Sequence, residues 1–547
     1  MQFFRKIRTN ATTVVLFSVQ KAAMPIAVRL LRPAERGGDI EAVRESLRRR
    51  MMDPALADEV ATLDEAWRVL QQDVEEVRAE LGVTRRAVGA LKKAKREDEA
   101  AAQIANMRAL SAREAELKPR VDAAEQSMLA RLQRLPNLLH ASVPVGAGDE
   151  ANVVERDWGL ERIGAPGGSA LDAVRAAAAG GTAPLGHDVL LHRIGGCETT
   201  NAVLAAGHRA YFLTGVGAEL SAALVTLATG FLKQRAVEGG SGFVRVSPPL
   251  MLERRAMAKV AQLEEFDEAL YRVSSDAGGR SAEGAEPAES AGARERYLIA
   301  TSEQPLCCLH MGGRLREEDL PLRYAGVSMC FRKEAGARRD ARGIFRVHQF
   351  EKVEQFCLAA PERSAAVLEE MLRAAEDFYR LLQLPFRVVK VASGQLSHAA
   401  ALKYDLEAWF PASALGGEMR ELVSASNCTD FQSRALDVQC VPTEAANEGV
   451  EKKKGGAKRL VHMLNATLCA TSRTLCCLLE NFQAADGVRL PPDHALVPLL
   501  GGQSFFPFVR DALPNASSSS EVRKSKKATS TATKALRLGG GAATAKE

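Results

Sequence analysis

Between Leu56 and Leu81 the apolar residues Leu56, Val60, Leu63, Trp67, Leu70, Val74, Val77 and Leu81 fall alternately four and three apart. That heptad spacing commits the segment to a helix with one seam buried against a second helix. A second stripe, Met107, Leu110, Leu117, Val121, Ala124 and Met128, follows it. The two predict an antiparallel coiled-coil hairpin that reverses between Lys92 and Asp98. Pro119 interrupts the second stripe. Its ring removes a helical hydrogen bond at a cost of about 3 kcal/mol in a straight helix, so a bend is expected there. Lys92, Lys93, Lys95 and Arg96 crowd the reversal, with Arg85 and Arg86 just before them. A solvated helix end accounts for most such charge runs, but a rigid arm with cations at its far end also suits reaching phosphates away from the body.

The 547 residues, 46% hydrophobic, supply one large core and a smaller accessory unit. A net charge of +5 is small for this length, so any nucleic-acid contact must come from local basic patches. The 10 cysteines include no C-x-x-C and no zinc or disulfide spacing, which favours a reducing compartment and no zinc. The uncharged apolar stretch 10–20 is too short to span a bilayer and nothing downstream does better, so no membrane association is expected.

Five segments are expected. Residues 1–34 hold Arg5, Lys6, Arg8, Lys21, Arg29 and Arg32 with no acid, which fits a mitochondrial presequence and equally an unstructured extension upstream of Met24. Residues 35–140 form the arm, 141–160 a linker, and 161–513 an α+β body with β-branched and aromatic runs at 243–246 and 386–391 and a helical pattern at 363–382. Segments 274–293 and 442–458 have the composition of surface insertions. Residues 514–547 form a basic tail too poor in apolar residues to order itself.

Residues 331–334 and 344–356, joined by the polar loop 335–343, are expected to form an antiparallel hairpin. Alternation puts Arg332 and Glu334 on one face, and Arg346, His348 and Phe350 on one face of the return strand. An arginine fork, a carboxylate and an aromatic ring suit a phosphate, an amine and a purine face. By spacing alone, an ordinary ion-pair ladder is favoured.

The hairpin resembles motif 2 of class II aminoacyl-tRNA synthetases in its seryl-specific form. Residues 207–231, closing on Val244-Arg-Val-Ser-Pro-Pro249, resemble motif 1, the dimer-interface element. Tyr297-Leu-Ile-Ala-Thr-Ser-Glu303 resembles the family's serine-recognising segment. Residues 403–410, 420–424 and 426–432 are similar to later active-site strands, and 462–473 to motif 3 of the eukaryotic cytosolic form. The resemblance runs from about Gly37 to about Phe508 with the motifs in order.

It implies an N-terminal coiled-coil hairpin followed by a class II catalytic domain built on a mainly antiparallel sheet. It also implies ATP-dependent activation of L-serine and transfer of the seryl group to the 3′ end of tRNA(Ser), with charging of selenocysteine tRNA left open. Carried over by position, Thr301, Glu303, Arg332, Glu354 and Asn465 surround serine, with Glu354 as partner for its ammonium. Arg332, Lys333, Glu334, Val347, His348, Gln349, Phe350, Glu421, Leu422, Val423, Ser424 and Arg473 bind ATP, with Phe350 and Arg473 on either side of the base. Arg332, Glu334 and Arg473 carry the catalytic load, and Glu421 holds Mg2+. Lys92, Lys93, Lys95 and Arg96 become contacts for tRNA, which the arm reaches across a homodimer. A cytoplasmic location is implied, with a mitochondrial pool if the N-terminal extension is a presequence. The alternative is a catalytically silent tRNA-binding or regulatory paralogue. Three features depart from the family pattern: the motif 2 loop is one residue short, Ser433-Arg434-Ala435 stands where paired arginines are usual, and the polar insertion beyond Val441 is longer than expected.

The tail from Asn515 to Glu547 sets seven cations, Arg523, Lys524, Lys526, Lys527, Lys534, Arg537 and Lys546, against Glu521 and Glu547. A loose tRNA tether, an address read from 523–527 and a solvated appendage all fit this composition. A tether works by counterion release. Removing the tail is therefore expected to weaken tRNA binding several-fold at low salt, hardly at physiological salt, and to leave serine activation unchanged. An identical salt slope for full-length and truncated protein would rule out phosphate contacts by the tail.

Overall fold

The structure, a computed structural model, describes residues 26–162, 184–235, 242–261, 269–273, 295–334, 343–412, 417–441 and 459–511. Most of the basic extension, the segments 274–293 and 442–458, most of the motif 2 loop and the tail from 514 lie outside the described residues.

A short helix, α1 (Ile40–Arg49), is capped by the Asp39 side chain, which accepts from Ala42 N. It packs at the base of a hairpin made of α2 (Ala55–Lys93) and α3 (Glu97–Leu132). Ion pairs Arg131 to Glu59 and Arg78 to Glu114 hold the two helices antiparallel at successive heights. The heptad positions close as the spacing requires. Val74, Val77, Leu81, Leu110 and Leu117 form the mid-arm core, and Val60, Met128 and Leu132 join α1 at the base. Two buried positions of α2 are polar, Asp64 and Thr84. Asp64 is sealed in the base, which is tolerable because Arg32 and Arg68 donate to it at 3.2 and 2.9 Å. α3 continues through Pro119 to Leu132 as one helix.

In the body, β1 (Val153–Trp158), α4 (Val216–Gln234) and β2 (Val244–Val246) precede α5 (Glu303–Cys308) and the long hairpin β3 (Leu322–Phe331) and β4 (Gln349–Ala359). Then come α6 (Ser364–Leu381), β5 (Phe386–Lys390), β6 (Leu402–Phe410), β7 (Glu418–Asn427), α7 (Phe431–Leu436), β8 (His462–Ala470) and α8 (Thr471–Asn481). The eight strands make one sheet in the order β1-β5-β6-β7-β8-β4-β3-β2. Every pairing is antiparallel except β2 with β3.

The amphipathic α6 lays Val367, Leu368, Met371, Leu372, Ala375 and Phe378 into the main core, and α8 adds Leu475, Leu478 and Leu479. With helices covering it, strands β4 and β8 at mid-sheet are almost wholly buried, so any polar side chain there needs a partner.

Two expectations from the sequence need correction. First, a helix long and apolar enough to cross a membrane does occur downstream of residue 20, namely α4. The linear reading missed it because an apolar core helix and a membrane span share length and composition. Leu220, Leu224, Ala228 and Leu232 of α4 are fully buried in the main core. Second, the motif 2 hairpin is shorter than the alternating pattern implied, since β3 ends at Phe331 and the return strand starts only at Gln349. Arg332 N still donates to His348 O at 2.9 Å, but Lys333 N turns away to Ala269 O at 3.0 Å. Glu334 then takes a left-handed backbone, φ 46°. Arg332, Glu334 and Arg346 therefore leave from irregular backbone, and strand alternation does not set their direction.

Candidate active site

Although strand geometry does not align them, the chain ends of the hairpin converge. Arg332, Glu334, Arg346, Val347 and Phe350 line a cleft with Phe345, Ser472 and Arg473. Arg346 lies 3.8 Å from Glu334, and Arg473 lies 3.6 Å from Glu421, whose backbone oxygen also accepts from it at 3.2 Å. The Arg332 guanidinium stands 5.3 Å from the Phe350 ring centroid, and that of Arg473 5.0 Å from Phe345. With Arg209 3.9 Å from Glu334, four arginines meet two carboxylates, an excess of positive charge beside aromatic faces that suits an anion attached to a planar base.

The return of the loop into this cleft is tightly fixed. Gly343 has φ 60°, and a Cβ there would lie 2.6 Å from the ring of His187. His187 is itself held by Glu480, 2.7 Å away. Only glycine fits that approach.

Deeper along β4 lies a second polar group. Phe350, Lys352 and Glu354 occupy alternate positions, hence one side of the strand. Lys352 and Glu354 are both buried and form an ion pair. Lys352 Nζ also donates to Thr301 Oγ1 at 2.8 Å, and Thr467 Oγ1 donates to Glu354 at 3.3 Å. Glu303, at the start of α5, accepts from Gln432 Nε2 at 2.6 Å. Asn465 on β8 donates to Cys428 Sγ at 3.6 Å.

The remaining nominated residues take different positions. His348 Nδ1 donates to Arg332 O at 3.0 Å, and the ring meets Tyr271 edge-on. The Gln349 carbonyl accepts from the Tyr211 hydroxyl. Lys333 directs its backbone to Ala269 as described. Leu422 and Val423 are core residues, so their side chains face away from solvent, while Glu421 and Ser424 are partly exposed. Lys92, Lys93, Lys95 and Arg96 sit fully exposed at the arm tip. Lys95 is in the left-handed region that makes the reversal, and Arg96 is engaged with Glu99. Lys352, Gln432, Phe345 and Arg420 were not singled out by sequence reasoning. Lys352 left a signal: a lysine two residues before Glu354 in an extended strand must share its side.

Next to Glu421, Asp405 is buried with Lys403 Nζ at 2.9 Å, and its Oδ1 lacks a hydrogen-bond partner. Glu421 itself pays a burial penalty that Arg473 and Lys403 outweigh, leaving its carboxyl below the usual range. Among the described residues no cluster of three or more His, Cys, Asp or Glu exists to cage a metal. A single carboxylate such as Glu421 does fit Mg2+, which typically takes one or two carboxylates together with substrate phosphates and waters.

Burial pushes the Asp405 carboxyl up to about 7 from 3.8, against the pull of Lys403 and with Glu421 adding to the rise. The folded chain then keeps a proton that the unfolded chain loses near 3.8. Its stabilising contribution is full below that value and is lost as pH rises through about 7. Asp405→Asn is expected to flatten this dependence. In urea denaturation at about pH 5 and about pH 8, the wild type should lose clearly more stability between the two than the variant, and equal losses would contradict the assignment.

Comparison with known proteins bears on the same residues. Residues 287–482 match the family described as tRNA synthetase class II core domain (G, H, P, S and T), and residues 27–139 match the seryl-tRNA synthetase N-terminal domain. The cytoplasmic serine-tRNA ligase of Arabidopsis thaliana is 41% identical over 482 residues, 87% of this chain and 94% of that protein. The crystal structure of the cytoplasmic serine-tRNA ligase of Naegleria fowleri in complex with AMP superposes with TM-score 0.71 at 36% identity, over 88% of this chain and 99% of that one. Seryl-tRNA synthetase from Pyrococcus horikoshii, complexed with ATP, gives TM-score 0.71 at 33% identity, over 89% and 100%.

Proposed function

The chain belongs to the seryl-tRNA synthetases, a family of class II aminoacyl-tRNA synthetases, and we propose on that premise that it is a working serine-tRNA ligase. The observation that carries the reading is the junction of the arginine-rich cleft with the buried polar group around Lys352, Glu354 and Thr301. An anion site and a small polar pocket adjoin along one strand, as a reaction between a nucleotide and a small zwitterion requires. A silent paralogue has no chemical use for that junction.

ATP lies in the cleft, its base between Phe350 and Arg473 and its α-phosphate at Arg332. Lys333, Val347, His348, Gln349, Leu422, Val423 and Ser424 supply the surrounding backbone and rim. Glu421 would hold Mg2+, which would supply further positive charge to the phosphates. The serine carboxylate attacks the α-phosphate in line and pyrophosphate leaves. The terminal ribose hydroxyl of tRNA then attacks the seryl carbonyl, the bond to the adenylate phosphate breaks, and AMP and a proton leave. Both steps rest on positioning and on fixed positive charge, so no protein base is assigned.

The pocket contacts favour a different division of labour from that implied by resemblance. Glu354 already has a cation of its own in Lys352. A second ammonium there would add a buried like charge. Glu354 is thus better matched to accept from the serine hydroxyl, and Glu303 to receive the ammonium, with Thr301 and Asn465 completing the set. A pocket that hydrogen-bonds the hydroxyl rejects alanine strongly, because its own polar groups would be left unpaired.

Residues 35–140 are the tRNA-gripping arm and 161–513 the catalytic domain in this reading, with phosphates of tRNA(Ser) met by Lys92, Lys93, Lys95 and Arg96. The exposed Val244, Leu250 and Met251, around the motif 1 proline, support a homodimer. The names of the relatives support a cytoplasmic enzyme. The basic extension supports an additional mitochondrial pool.

Arg332→Ala and Arg473→Ala are each expected to lower serine-dependent exchange of pyrophosphate into ATP by about 100-fold or more, with thermal unfolding little changed, because each removes a preorganised cation. Exchange at the wild-type rate in either variant would refute the site.

A further inference from the structure

The arm and the body meet along a buried seam, and one residue of the arm's return reaches through it toward the serine pocket. Asn137, five residues beyond α3, is 4% exposed. Its backbone N–H donates to His398 O at 2.7 Å. Its side-chain amide donates to Ala399 O and Cys428 O, both at 2.8 Å, and lies 2.9 Å from Thr429 Oγ1. Arg50, just past α1, fills the same seam and donates to the carbonyls of Asn137, Ser397 and Ala400.

The turn that Asn137 grips organises the pocket. Thr429 holds a left-handed backbone, φ 46°, a conformation that a branched residue keeps only where its surroundings impose it. Cys428 N donates to Met463 O and Met463 N to Thr429 O, which ties the turn to β8. From the same residue, Cys428 Sγ accepts from Asn465. The Cys428 carbonyl also accepts from Phe431 N at 3.1 Å, the first residue of α7, and the next residue, Gln432, donates to Glu303. One turn thus fixes Asn465 through a sulfur and Glu303 through a helix, and an arm residue fixes the turn.

We propose that Asn137 is a positioning residue for serine recognition, supplied by the arm segment and acting through the turn at Cys428 and Thr429 on Asn465 and Glu303. The inference rests on the reading above that these two side chains contact serine. Without the Asn137 amide, the Cys428 carbonyl keeps only the Phe431 N donor and the strained turn loses a restraint. The nucleotide cleft touches neither group, so binding of ATP is independent of Asn137.

Spatial continuity is not coupling, and a double-mutant cycle separates them. Serine-dependent pyrophosphate exchange is measured on the full-length enzyme for Asn137→Ala, Cys428→Ala, the double variant and Arg50→Met. Asn137→Ala is expected to raise the serine KM about fivefold to tenfold and leave the ATP KM within about twofold. Cys428→Ala should act in the same direction, and the double variant should exceed the larger single effect by less than about twofold. Arg50→Met breaks hydrogen bonds of the seam without touching the turn, so it should lower the melting temperature and leave the serine KM alone. Should Asn137→Ala not fold, Asn137→Asp keeps the size while losing the donor and must show the same rise. The inference is overturned if the Asn137 variants behave like Arg50→Met, or if the two single effects simply multiply. A wild-type enzyme inactive with serine would overturn the proposed function and this inference together. A normal wild type with an unchanged serine KM in Asn137→Ala would overturn this inference alone.

Discussion

Lys352 and Glu354 sit two residues apart on the strand at the middle of the sheet, both almost fully buried. Neither charge is sustainable there alone, since an unpaired buried ion costs several kcal/mol. Their ion pair makes a polar interior workable within an otherwise apolar layer, and Thr301 and Thr467 complete its hydrogen bonds from the segment before α5 and from β8. Three elements distant in sequence are therefore held together by one pair of charges. The proposed serine pocket inherits its geometry from that requirement, because in that reading the groups that compensate each other are also the ones offered to the ligand.

Around this pair the molecule separates its electrostatics by distance. The arginine cleft is preorganised, with Arg346 and Arg473 each leaning on a carboxylate and Arg332 leaning on a backbone carbonyl. Such groups do not reorganise as charge develops on a phosphate, which is where most of a positioning enzyme's rate advantage arises. The arm tip is the opposite case. Its lysine side chains are exposed and screened by salt, as fits loose contact with a polyanion's backbone. The base of the arm is neither, being an apolar cluster sealed by Asp64 with Arg32 and Arg68 and joined to the body by carbonyls around Arg50.

The arm was legible in the sequence nearly residue by residue, since a heptad seam has a short period and needs no partner outside its own segment. The reversal, the buried valines and the exposed tip all follow from spacing. Asp64 escaped because its compensation comes from Arg32, outside the repeat. In the body, the hairpin and the helix at 363–382 were readable, but the facing of Arg332, Glu334 and Arg346 was not. Alternation applies only while the backbone stays extended, and here a single contact, Lys333 N to Ala269 O, ends it. Gln432 and Asn137 were beyond reach for a related reason: their roles arise from contacts with residues more than a hundred positions away. Motif resemblance pointed to the proposed pocket, and the fold shows that Glu354 already has a cation in Lys352.

The central claim is that serine activation and tRNA engagement reside in separable parts of one chain. It is tested by replacing residues 71–120 with a short glycine-rich turn that joins Leu70 to Val121, partly buried neighbours in the mid-arm core, so that the base cluster and the seam at Arg50 and Asn137 stay intact. In one preparation, the ratio of labelled-serine charging of tRNA to serine-dependent pyrophosphate exchange is measured against the full-length enzyme. The account requires exchange within about threefold of wild type and charging reduced by about 100-fold or more. Equal losses in the two activities would contradict it.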